Sequence, residues 1–337
     1  MGVHVAKEEL PFAMQHVGTF SCHGVEPGHR AGETSAKINQ DRGCIVFPFG
    51  NESAYPAGVK SQAFFCVYDG HGANGDKVSH FVMNKLQEEL SDHEKLYTDP
   101  PAALKDAYVK TDQLLLKDKN IDAELSGTTA VTVLIRLLDN DEMHCWTAWT
   151  GDSRAVYACK KGGADWVHKD MSEDQKPDTP KEMARIQKAG GFVSPPEVEW
   201  GGPARVWLDA EMTLPGLAMA RSIGDHLVKS VGVSAEPEVE YFVAGAGEYS
   251  GTQPFIVICS DGVWEFIESD MAVKLIGSFA KPSGDIKDLD ATVAATKLIE
   301  TSAAKWRQEE GDYRDDITAI VLKLDEVKAV MRAGAAA

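Results

Sequence analysis

The strongest constraint on this chain is a set of short runs rich in β-branched and aromatic residues. They fall at 43–49 (GCIVFPF), 63–69 (AFFCVYD), 130–138 (AVTVLIRLL), 143–150 (MHCWTAWT), 153–159 (SRAVYAC), 254–260 (PFIVICS) and 316–324 (DITAIVLKL). Runs of this length and composition read as strands, and those apolar on both faces read as strands inside a sandwich. Helical spacing appears between them. Val78, Phe81, Val82, Leu86 and Leu90 share one face, and further helices are predicted near 101–118, 180–189, 269–279 and 290–307. No internal repeat or long low-complexity linker divides the chain, so the pattern predicts one large domain with sheets packed between helices. Segments 47–60 and 192–216, rich in Pro, Gly and acid, read as surface excursions, either ordinary loops or substrate-facing flaps.

Charge narrows the function. With 52 Asp+Glu against 34 Lys+Arg and a net charge of -18, the chain repels nucleic acid and anionic lipid, and no Lys/Arg block reverses that locally. A phosphate-handling site in such a chain needs cations to invert the local field. The cysteines at 22, 44, 66, 145, 159 and 259 form no C-x-x-C pair and sit mostly in apolar runs, which reads as reduced thiols in the cytoplasm or nucleus. No apolar run reaches transmembrane length, and the N-terminus lacks a signal-peptide core. Met1-Gly2 begins like a myristoylation signal, but Ala6 stands where Ser or Thr is required, so lipid anchoring through Gly2 is not expected.

The position of the aspartates is more informative than their number. Asp69 ends an apolar run and leads into Gly70-His71-Gly72; Asp261 ends another and precedes Gly262. Asp152 follows Thr150-Gly151, Asp41 precedes the run 43–49, and Asp315-Asp316 open the run 316–324. An aspartate at a strand end beside glycine can turn its carboxylate into a cavity while backbone approaches a ligand closely. Any single Asp-Gly pair is more simply a turn; five such positions from separate parts of the chain suggest convergence. Two carboxylates ~4 Å apart repel by about 4 kcal/mol at an effective dielectric near 20. A hard divalent ion such as Mg²⁺ or Mn²⁺ relieves that repulsion through oxygen ligands, and two of them can activate water toward a phosphoryl group. His71, between two glycines after Asp69, is a candidate acid for a leaving alkoxide.

The motifs also carry a family resemblance. In order they are Asn39-Gln40-Asp41, FFCVYDGHG, SGTTAV (126–131), TGDSRAV (150–156), the DQKP stretch with its Glu182, Arg185-Ile186 and Gly190-Gly191, RVWL (205–208), LAMARSIGD (217–225), ICSDGVWE (258–265) and RDDITAIV (314–321). This set resembles the type-2C, metal-dependent protein serine/threonine phosphatases over 15–325, and RVWL and LAMARSIGD are similar to plant and protist members. The resemblance implies an α+β fold, a four-layer α-β-β-α sandwich with two Mg²⁺ or Mn²⁺ ions between the central sheets. It implies that Asp69 bridges the metals, that Gly70 offers its carbonyl, that Asp261 and Asp315 complete the first metal's shell, and that Asp41 acts through metal-bound water. Asp152 and Glu265 match positions for a third metal, and His71 matches the general acid. Residues 1–14 are expected as an N-terminal extension and 326–337 as a flexible tail. A monomer acting on phosphorylated proteins is expected.

Three departures stand out. Gln40 replaces the Glu common before the position of Asp41, and Glu265 stands where many relatives carry Asp. Where the family's phosphate-binding arginine is usual, the sequence reads Ser35-Ala36-Lys37, so Lys37 is the candidate phosphate ligand, a point charge without arginine's fork. Arg154, Arg221, Thr128, Thr129 and Trp264 read as structural. The alternatives are a pseudophosphatase that binds without turnover, and a metal-dependent nuclease or nucleotide hydrolase, which the acidic charge and the absence of a basic groove or P-loop disfavour.

Overall fold

The computed structural model describes residues 10–28, 30, 32–162, 165–196, 202–280 and 285–334. At its centre two five-stranded antiparallel sheets face each other. One runs in the order β1 (Val17–Cys22), β10 (Ile317–Lys323), β9 (Thr252–Cys259), β6 (Arg154–Lys161), β7 (Asp165–Asp170). The other runs β8 (Glu238–Ala244), β5 (Met143–Thr150), β4 (Ala130–Leu138), β3 (Val59–Tyr68), β2 (Arg42–Val46).

Strand alternation generates the layers. On β3, Ala63, Phe65 and Val67 point between the sheets and pack with Val133, Tyr157, Ile258 and Ile320. Their neighbours Phe64, Cys66 and Tyr68 point outward, onto Val78, Val82 and Leu86 of α1 (Gly75–Ser91) and Leu104 and Tyr108 of α2 (Pro100–Lys117). On the other sheet Val156, Val257 and Val321 meet Ile276 of α4 (Ser269–Ser278) and Ala294 and Leu298 of α5 (Ala291–Glu309). The result is the α-β-β-α sandwich. Each large apolar side chain buried this way contributes about 1.5–3 kcal/mol.

Every strand and helix anticipated from the sequence is present, with ends shifted by a few residues. Within the two central sheets the unanticipated strands are β1, β7 and β8, all of them sheet edges. Half solvated, they carry polar residues that break an apolar pattern, as in Asp165–Asp170 (DWVHKD).

Both expected termini need correction. Residues from 326 do not form a flexible tail: α6 (Leu324–Gly334) buries Leu324, Val327 and Met331 in the inter-sheet core. The spacing i, i+3, i+7 puts those residues on one helical face, a signal obscured by the alanines around them. Residues 335–337 lie outside the described residues. At the other end Phe12, expected in an extension, packs on Phe65 at 5.7 Å and Phe47 at 5.2 Å between ring centroids. The expected Gly2 and Ala6 lie outside the described residues.

The excursion at 47–60 is pinned by Phe49 stacked on Phe64 at 4.6 Å. The described part of 192–216 joins α3 (Pro180–Lys188) in a small lobe with its own core of Ile186, Val206, Leu217, Met219, Val228 and Val233. All six cysteines are free thiols. No helix among the described residues is long and apolar enough to cross a membrane.

Candidate active site

Strand register brings the aspartates together at one end of the sandwich. Arg42 pairs with Tyr68, so Asp41 lies across from Asp69 at the shared end of β2 and β3. Cys259 pairs with Ala319, which sets Asp261, just past β9, near Asp315, just before β10. Asp152 sits in the link between β5 and β6, where the chain crosses from one sheet to the other.

Asp69 is held by its backbone: its N–H donates to Thr129 Oγ1 at 3.0 Å, and its carbonyl accepts from Thr129 N at 2.8 Å and Thr128 Oγ1 at 3.0 Å. Thr128 and Thr129 therefore secure the strand end, as expected. Gly70 has no room for a side chain. An added Cβ would stand 2.4 Å from Gly75 O and 2.7 Å from Gln40 O, both backbone atoms. Gly70→Ala is therefore expected to disrupt the Asp69–Gly72 turn, lowering thermal stability and divalent-metal affinity together, as read by differential scanning calorimetry and metal titration. Gln40 secures the same turn, its Nε2 donating to Gly72 O at 2.8 Å.

The paired aspartates 315 and 316 divide their roles. The Asp316 carboxylate accepts from Gly24 N at 2.5 Å and Gln40 N at 2.8 Å and ties the N-terminal loops to β10. Asp315 instead meets Lys37, whose Nζ is 2.8 Å from its Oδ1 and lies over the Tyr313 ring. Lys37 is thus ion-paired to a candidate metal ligand.

The carboxylates perturb one another strongly. Burial, with like charge from Asp316 and Asp315 opposing hydrogen bonds from Thr318 and Ser260, pushes Asp41 up to about 7. Burial and the charges of Asp41, Asp261 and Asp315 push Asp69 well above the usual carboxylate range. Asp261 is raised in the same way, by burial and by Asp152 and Asp315. Asp41 Oδ1, Asp152 Oδ1 and Asp261 Oδ1 are buried without a hydrogen-bond partner among the described residues. Buried acceptors of this kind normally find a donor or a cation.

Among the described residues no three acidic, histidine or cysteine side chains already close into a metal-sized cage. Lysines engage two of the candidates: Lys37 holds Asp315, and Lys176 Nζ lies 2.7 Å from Asp152 Oδ2. The mutual perturbation and the orphaned oxygens weigh more than the open cage, because side chains can rotate to a ligand but buried like charge must be compensated. An all-oxygen donor set suits a hard divalent ion. Glu265 is solvent-exposed.

His71 reaches the site on a small three-stranded sheet. Gly70 and His71 pair with Thr128 and Gly127, and these pair in turn with Ile223 and Gly224. The arrangement carries Asp225 to His71: Asp225 Oδ2 is 2.8 Å from His71 Nε2. Burial alone would lower the His71 imidazolium, but the charge and hydrogen bond of Asp225 outweigh it, and it titrates above its ordinary value. Asp225 was not among the sequence candidates. It closes LAMARSIGD as an aspartate directly after a glycine, the placement that Asp152 has after Gly151.

The residues read as structural behave so. Arg154 grips both Asp174 oxygens at 2.9 Å and covers the Trp264 ring, Arg221 pairs with Glu182, and Trp264 is a core side chain.

Known proteins agree with this architecture. Residues 31–310 match the family described as Protein phosphatase 2C. The chain is 33% identical to "Probable protein phosphatase 2C 35" of Arabidopsis thaliana, over 97% of its own length and 91% of that protein. It is 30% identical to "Probable protein phosphatase 2C 61" of the same plant, over 95% of its length and 92% of that protein. The crystal structure of serine-threonine phosphatase 2C from Toxoplasma gondii matches with a TM-score of 0.68 at 20% identity, covering 90% of this chain and 93% of that one. At that identity the structural likeness speaks for the fold alone, while the family match spans most of the sequence. The chain belongs to the protein phosphatase 2C family and is a protein phosphatase.

Proposed function

We propose that the chain hydrolyses phosphoserine and phosphothreonine monoesters in proteins with the help of two Mg²⁺ or Mn²⁺ ions. The observation that carries this reading is the cluster of strand-end carboxylates with orphaned buried oxygens. Asp69, Asp261 and Asp315, with the Gly70 carbonyl, would hold the ions, and Asp41 would hold their water; Asp152 and Glu265 are the candidates for a weaker third. When bound, such ions acidify and orient an attacking water and offset the charge of the phosphoryl group.

The remaining chemistry falls to this chain's own residues. Water adds to phosphorus and loses a proton to bulk solvent; the seryl or threonyl oxygen leaves with the electron pair of the P–O bond. His71 gives that oxygen a proton, so the products are inorganic phosphate and a free hydroxyl. Nδ1 is the nitrogen left for this transfer: Nε2 is engaged by Asp225, and Nδ1, buried in the substrate-free chain, has no partner among the described residues and would turn out to the leaving oxygen when substrate binds. Lys37 would lend one positive charge to the incoming phosphate once Asp315 turns to a metal.

The test is release of phosphate from a phosphothreonine peptide. The chelated protein is expected to be inactive and to regain turnover with Mn²⁺ or Mg²⁺. Absence of turnover with either ion, in a folded protein that still binds the peptide, would favour a binding role. His71→Ala is expected to lower kcat on this peptide by about 10²-fold while leaving metal affinity unchanged.

A further inference from the structure

Asp225 sits in a setting built to hold it. It takes a left-handed backbone conformation, φ 50°, which after glycine only asparagine and aspartate visit with any ease. Its N–H donates to Ser126 O at 2.9 Å, and its side chain is almost wholly buried. Ser222 Oγ donates at 2.6 Å to Oδ2, the same oxygen that meets His71. Behind it Asp112 Oδ1 on α2 accepts from Gly224 N at 2.8 Å, which fixes the turn. In front, Gly127 leaves the space that the pair fills: a Cβ there would lie 2.1 Å from Asp225 Oδ2 and 2.8 Å from His71 Nε2.

We propose that Asp225 is a positioning residue for the phosphatase reaction, holding His71 by Nε2 so that Nδ1 faces the leaving oxygen. The inference rests on the reading of His71 as the proton donor. A carboxylate fixed on one imidazole nitrogen sets the ring's orientation and leaves the other nitrogen to do the transfer. Before the step, His71 is an imidazolium with Nε2–H on Asp225. Afterwards the Nδ1 proton is on the seryl or threonyl oxygen, and the neutral ring keeps Nε2–H on Asp225. Asp225 itself neither gains nor loses a proton. Ser222 restrains the carboxylate oxygen from the other side.

Leaving-group dependence separates this role from a merely structural one. A phosphothreonine peptide expels an alkoxide and needs the proton, whereas p-nitrophenyl phosphate expels a stable phenolate and needs it little. Asp225→Asn suits the test because asparagine tolerates the left-handed conformation. With Mn²⁺ present it is expected to lower kcat on the peptide by roughly 10- to 100-fold, and by at least about tenfold less on the aryl ester. Ser222→Ala is expected to shift the same ratio in the same direction by a smaller factor. In a His71→Ala background, Asp225→Asn is expected to add nothing further on the peptide.

Equal losses on both substrates, or full additivity with His71→Ala, would overturn the inference. If His71→Ala lowers peptide turnover selectively and Asp225→Asn does not, the proton donor stands and the positioning role falls. If His71→Ala is itself unselective, the donor assignment fails and the role of Asp225 fails with it. Either result leaves metal-dependent hydrolysis to be judged separately.

Discussion

Asp69→Asn is expected to lower phosphopeptide turnover by about 10³-fold while making the metal-free protein more stable. The two effects have one source. Asp69 is pushed well above the usual carboxylate range by burial and by Asp41, Asp261 and Asp315, so its ionised form is costly until a cation arrives. Replacing it with a neutral isostere removes that cost in the apoprotein. It also removes a carboxylate–cation attraction of about 4 kcal/mol at an effective dielectric near 20, which corresponds to roughly a thousandfold in rate or affinity. The same logic fixes a pH dependence. Asp41 binds its proton up to about 7 in the folded metal-free chain. Its contribution to stability is therefore full below the ordinary carboxylate value and is lost as pH rises through about 7. Thermal unfolding of the chelated protein at pH 5 and pH 8, compared with Asp41→Asn, isolates that contribution. Added Mg²⁺ is expected to restore the lost stability at pH 8 in the wild type. An Asp69→Asn protein that is both less stable without metal and fully active with it would contradict this description of the cluster.

Glu182→Ala is expected to cost about 3–5 kcal/mol of stability, the usual effect of stranding a buried charge. Glu182 is 2% exposed and accepts from Arg221 at 2.7, 3.0 and 3.2 Å, and from Arg185 as well. The arginines continue outward: Arg221 Nη1 donates to Glu236 O at 2.9 Å, while Arg185 reaches Gly232 O and Ala220 O, each at 2.7 Å. One carboxylate thus anchors the lobe whose chain continues through Ser222 to Asp225. Burial alone would raise the Glu182 carboxyl, but the two arginines outweigh it and lower its titration. The support it gives is present at neutral pH and is lost as pH falls through that lowered value. In practice the variant should unfold roughly 5–10 °C earlier. An unfolding temperature within about 1 °C of the wild type would show that the hub is dispensable. Glu182→Gln keeps the shape and some hydrogen bonds, so a smaller loss is expected.

The fold was legible where sequence periodicity and burial coincide. AFFCVYD could be read as an internal strand because both its faces are covered, one by the opposite sheet and one by α1 and α2. Glu238–Ala244 escaped because an edge strand owes half its surface to water and mixes acid with aromatics. Leu324–Gly334 escaped because its alanines masked a three-residue apolar face. In the candidate site, the end of an apolar run marked Asp69 and Asp261, and the fold brings their carboxylates close enough to perturb each other. The motif match singled out Asp315, and the fold shows why the two differ: Asp316 ties down the N-terminal loops while Asp315 faces Lys37. Asp225 required register as well: no spacing in the sequence reveals that Gly224 and Gly127 pair beside His71.

The most direct test of the carboxylate cluster is calorimetric titration of the chelator-treated wild-type chain with Mn²⁺, with no substrate present. Binding of two ions is expected, with Asp69→Asn and Asp261→Asn each losing affinity by about 10²-fold or more. A wild-type chain that takes up no Mn²⁺, or variants that bind it as tightly as the wild type, would contradict the assignment of these aspartates as the metal centre.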